Sequence, residues 1–165
     1  MASQSQTKPD NFKVICAKDQ MMLRKNTVMK LFSLEYQYEN PKFDLVSLLN
    51  INIHNLLFEV NKDIIESIEI TETFESKNEF DILYLFKDFG SDLGGSKTYI
   101  NVRTKVEKRF ASNGNTEIIF TSKSIPFHDH DRLHVNKYKL MEYPLYIQKY
   151  IILSNNHIQV IHMFK

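Results

Sequence analysis

PLYIQKYIILSNNHIQVIHMFK, Pro144 to Lys165, decides how this chain folds. Two runs dense in Ile, Val, Tyr and Phe flank Asn155-Asn156, and Asn tolerates the positive φ of a tight hairpin turn. A two-residue loop there pairs Leu153 with Ile158, Ile151 with Val160 and Ile147 with Phe164. Every apolar residue then meets an apolar partner, so this register predicts a hairpin in an antiparallel sheet.

Working outward, TYINVRTKVEKRF (98–110) alternates, with Ile100, Val102, Val106 and Phe110 on one face. The turn SNGN and the strand TEIIFTSKSIPF follow. A two-residue Asn113-Gly114 loop would set Val106 opposite Thr121 and mix the faces. A three-residue loop, Ser112 to Gly114, pairs Val106 with Phe120 and puts Gly114 in the left-handed position. Further upstream, KLFSLEYQYE alternates through Phe32, Leu34, Tyr36 and Tyr38, SIEITETF alternates through Ile68, Ile70 and Phe74, and FDILYLF is a buried run. Between them Leu45, Leu49, Ile53, Leu56 and Val60 recur at helical spacing behind Asn40-Pro41, which predicts a helix over about 41–60. The expected fold class is α+β: one main helix packed on a largely antiparallel β-sheet. Residues 1–11, MASQSQTKPDN, are expected to form a disordered polar N-terminal arm, and 12–165 a single domain.

Composition sets limits on function. The 165 residues are 42% hydrophobic and 25% charged, with a net charge of +1, which fits a globular domain and not a nucleic-acid-coating protein. Charge is nonetheless segregated: six Lys/Arg face two acids in residues 1–30, ten acids face three lysines in 59–92, and eleven Lys/Arg face five acids in 93–165. Such blocks pair within one fold or between copies. Cys16 is the single cysteine, so no internal disulfide or thiolate zinc cage forms, and a reducing, intracellular setting is expected. Beside Val14 and Ile15 it reads as a small buried residue.

The densest polar cluster is IPFHDHDRLH (125–134). His128, His130, Asp131 and His134 offer imidazole and carboxylate ligands, yet the spacing departs from His-x-His-x-Asp-His at Arg132 and Leu133. The expectation is a solvated loop, with no metal and no cofactor. Gly90, Gly94 and Gly95 fit neither dinucleotide nor phosphate-loop spacing. His54 reads as a helix-flank residue, and no nucleophile-base arrangement is recognisable, so an enzyme is not expected. Arg103, Lys105 and Arg109, with Lys97 and Lys108 nearby and Tyr99 available to stack, form a basic strand face suited to RNA or lipid phosphates.

The ending YIILSNNHIQVIHMFK, with the earlier order of strand (KLFSLEYQY), helix and strands, resembles the rhabdovirus matrix proteins. That resemblance implies a non-enzymatic viral structural protein of host cytoplasm and virion. Such a protein self-associates as a homo-oligomer and contacts nucleocapsid and anionic membrane, with no small-molecule substrate. Two alternatives stand beside it. One is a small α+β ligand-binding or metal-dependent domain whose pocket mouth carries the 128–134 histidines. The other is an RNA-binding accessory protein.

Overall fold

The computed structural model describes residues 11–88, 97–127, 138–142 and 144–165. Ten strands form one sheet: β1 Phe12–Lys18, β2 Met21–Asn26, β3 Leu31–Glu39, β4 Ile65–Phe74, β5 Glu79–Phe86, β6 Lys97–Phe110, β7 Thr116–Ser124, β8 Tyr138–Leu140, β9 Tyr146–Ser154 and β10 His157–Phe164. Their order across the sheet is β1-β2-β3-β10-β9-β7-β6-β5-β4, with β8 beside the start of β6. All neighbours run antiparallel except β8, which is parallel to β6. Helix α1, Ile53–Val60, lies against the face we call inner. No helix among the described residues is long and apolar enough to cross a membrane.

The expected helix-on-sheet arrangement is overturned, because the sheet dominates and α1 is only eight residues long. Residues 41–52, expected to be helical, form turns and the short 3-10 segment Val46–Leu48. The cause is side-chain competition for backbone N–H groups. The Oδ1 atoms of Asn40, Asp44 and Asn50 accept from the backbone nitrogens of Lys42, Val46 and Asn52 at 3.1, 3.0 and 2.8 Å. Each bond fixes a local turn that an α-helix would have to break. Leu45, Leu49 and Ile53 are still buried in the core with Phe80, Ile82 and Phe120, so the burial pattern holds although the hydrogen bonding differs.

The β6–β7 hairpin has the expected register. Val106 pairs with Phe120, and Ser112 to Gly114 form its tip, with Gly114 at φ 83°. The final hairpin departs from the expected register. Ser154 pairs with His157, but the next pair is Ile152 with Ile158, and Leu153 has no partner in the ladder. This bulge slips β9 by one residue. Val160 therefore meets Tyr150 rather than Ile151, and Phe164 meets Tyr146 rather than Ile147. Tyr146, Gln148, Tyr150 and Ile152 turn to the inner face.

One smaller expectation also changes. Cys16 is exposed, as are Val14 and Ile15, because β1 is an edge strand lying beyond the core. Of the expected N-terminal arm, residues 1–10 lie outside the described part, and Asn11 leads directly into β1.

Candidate functional site

The inner face alternates into Ile100 and Val102 on β6, Ser122 on β7, Tyr146 and Gln148 on β9, and His162 and Phe164 on β10. Across from them stand His54, Leu57 and Asn61 of α1 and its C-terminal end, with Ile65, Tyr84 and Phe86 at the side. Together they enclose a cavity of about 430 Å³, within the range of ordinary small-molecule sites. Leu57, Ile65, Phe86, Ile100, Val102 and Phe164 supply apolar wall. No Lys, Arg, Asp or Glu lines it among the described residues.

The polar groups of the wall are tied to one another. The imidazole of His162 lies between two phenols, with Tyr36 Oη 3.0 Å from Nε2 and Tyr146 Oη 2.7 Å from Nδ1. Gln148 Nε2 donates to Tyr146 Oη at 3.3 Å, and the hydroxyls of Thr104 and Ser122 are 2.8 Å apart. A polar band thus crosses β6, β7, β9, β10 and β3 through an otherwise apolar face. Burial lowers the His162 pKa, so the ring is held neutral.

His54 anchors α1 to the sheet. Its Nδ1 is 2.8 Å from Tyr84 Oη, and its ring meets Phe80 and Phe120 edge-on. It is 3% exposed and its Nε2 has no hydrogen-bond partner among the described residues, and burial pushes its pKa down to about 4. This corrects the expected helix-flank role: His54 is a core residue. Burial also raises the Tyr84 hydroxyl pKa, with the phenols of Tyr146 and Tyr150 adding to the effect.

The basic residues singled out in the sequence are placed differently. Lys97 pairs with Glu66 at 2.7 Å, Lys105 with Glu107 at 3.1 Å and Arg109 with Glu117 at 3.0 Å. Arg103 makes a two-pronged bond to Asp81 at 2.7 and 2.9 Å and lies over the Phe74 ring. These four share the outer face; Lys108 points to the inner face and lines a second, more open cavity with Glu75 and Glu79. Tyr99 is buried against Phe127. The acidic and basic blocks therefore meet within one chain at Glu66–Lys97 and Asp81–Arg103. His128, His130, Asp131 and His134 lie outside the described residues.

Ile100, Val102 and Phe164 lie on the apolar faces that alternation marks, whereas most polar members of the wall carry no such mark. The unbulged register puts Tyr146 and Gln148 on the face opposite Ile147 and Ile151, and His162 and Tyr84 lie far apart in the chain. A one-residue slip in β9 is the signal that would have exposed them.

No family model matches the chain, and no curated protein matches it. Solved structures do. The lipid transfer and protein localization domain of human StarD13 is 11% identical, with 93% of this chain covering 73% of that one at a TM-score of 0.69. Human STARD10 is 6% identical, with 93% covering 60% at 0.68. A STAR-related lipid transfer protein fragment from Xanthomonas axonopodis is 12% identical, with 93% covering 81% at 0.59. At these identities the likeness establishes the fold. It overturns the matrix-protein resemblance, which rested on a terminal hairpin and an order of elements. The viral structural role goes with it, as do the homo-oligomer, nucleocapsid, RNA and membrane contacts expected as partners.

Proposed function

We propose that this chain binds a lipid in the cavity between α1 and the inner face, as a carrier or sensor rather than an enzyme. The observation that carries the reading is an uncharged, largely apolar space of about 430 Å³. It lies in a fold shared with domains that are named for lipid transfer. Burying an alkyl chain against such a wall gains about 25 cal/mol for each Å² removed from water, and the fixed ion pairs of the outer face are left undisturbed.

Leu57 tests this, because it lines the cavity from α1 and is only half-buried, so a larger side chain can be accommodated on the helix. Leu57→Trp fills the cavity. The expected result is loss of binding of the neutral dye Nile red by roughly tenfold or more, with the thermal transition still cooperative. Undiminished dye binding in a folded Leu57→Trp variant would count against the cavity as the site.

A further inference from the structure

Resting on that reading, we infer that the cavity selects an uncharged lipid bearing a hydroxyl group, held at the wall by Gln148 and Ser122. Gln148 is 7% exposed, and its one hydrogen bond uses Nε2; Oε1 meets no donor among the described residues. Ser122 is 8% exposed and shares a single hydrogen bond with Thr104, which is 1% exposed. Two hydroxyls joined by one bond leave one hydrogen over. If Thr104 kept it, that hydrogen would be stranded in the core, so Thr104 donates and the Ser122 hydrogen is the free one. The wall therefore presents one acceptor and one donor, both nine-tenths buried.

The two groups are neighbours. Phe120 pairs with Gln148 and Ser122 with Tyr146, so Ser122 and Gln148 are diagonal partners on one face, about 7 Å apart at the backbone. A single hydroxyl oxygen fills such a gap, donating to Gln148 Oε1 and accepting from Ser122 Oγ–H. Other ligand chemistries fit worse. A plain hydrocarbon would cover both groups and leave them dry, which costs more than the bonds are worth in water. An anion would enter a space where no cation lines the wall among the described residues. His54 and His162 are held neutral by burial and supply no countercharge.

The test is displacement of Nile red from the full chain at pH 8 by decan-1-ol, decane and decanoate, which share a ten-carbon chain. With each affinity divided by the ligand's own water-to-hexadecane partition coefficient, decanol should exceed decane by roughly tenfold or more. Decanoate should compete roughly tenfold more weakly than decanol before any such correction. In Gln148→Leu the ratio of decanol to decane should fall toward one, and in Ser122→Ala it should fall by a factor of a few. Equal normalised affinity for decanol and decane, or decanoate competing as well as decanol, overturns the inference and leaves the cavity reading intact. Failure of all three to displace the dye overturns both. Should Gln148→Leu not fold, the Gln148 side-chain amide resonance decides in the wild-type protein: decanol shifts it and decane does not, and equal shifts sink the inference.

Discussion

The two faces of the sheet treat polar groups in opposite ways. On the outer face, charged residues meet their opposites across adjacent strands, as in Arg103–Asp81 and in Glu117, which is shared by Arg109 and Lys149. Around the cavity on the inner face the polar residues are neutral: Thr104 bonds to Ser122, and Gln148 and His162 bond to Tyr146, beside Val102 and Phe120. Both sets sit on the same strands and differ only in the parity of their positions. The difference teaches that strand alternation here sorts charge from neutral polarity, and not simply polar from apolar. The outer cations keep water on one side, as the 42% exposure of the Arg103 side chain shows, whereas the inner band must be satisfied by protein or by a guest.

Three perturbations should separate the faces. The largest effect is expected on the inner side. Phe120 is fully buried and in ring contact with His54 and Tyr150, so Phe120→Ala should cost about 3–5 kcal/mol in urea unfolding. A loss under about 1 kcal/mol would show that the core lies elsewhere.

Acid gives the next effect, again through the inner face. His54 has a folded pKa of about 4 against an ordinary 6.5, so the native state binds fewer protons than the unfolded one. Stability is therefore full above pH 6.5 and falls as pH drops through that value toward about 4, by about 3 kcal/mol in total. His162 adds in the same direction. Unfolding midpoints measured between pH 7 and 4 check this, and His54→Phe should flatten the slope.

The smallest effect is expected outside. Asp81→Asn weakens a two-pronged pair whose Arg103 remains hydrated, so the cost should be about 1 kcal/mol or less and should shrink further in salt. A loss as large as that of Phe120→Ala would erase the distinction between the faces.

Much of the sheet was legible because alternation is a strong local signal. Phe32, Leu34, Tyr36 and Tyr38 share the inner face as their spacing says, and Gly114 takes the left-handed turn that the pairing of Val106 with Phe120 requires. Periodicity failed at 41–52 for a definite reason. It reports which residues are buried, and Leu45 and Leu49 are, but Asn50 and Asp44 decide the hydrogen bonds. The candidate site was hidden for another reason. Histidines crowded into 128–134 draw the eye, whereas the two that line the cavity, His54 on α1 and His162 on β10, are far apart in the chain and come together only when the helix packs on the sheet. The basic residues were individually visible, but their partners Glu66 and Asp81 lie in a distant acidic stretch that no local reading connects to them.

Leu153, the unpaired residue at the last turn, makes the cavity's chemistry a matter of counting. Were Leu153 to pair with Ile158 instead, all of β9 beyond it would move by one, and Ile147, Lys149 and Ile151 would take the places of Tyr146, Gln148 and Tyr150 without a single side chain being exchanged. For this chain the bulge beside the turn says more about the guest than many substitutions elsewhere.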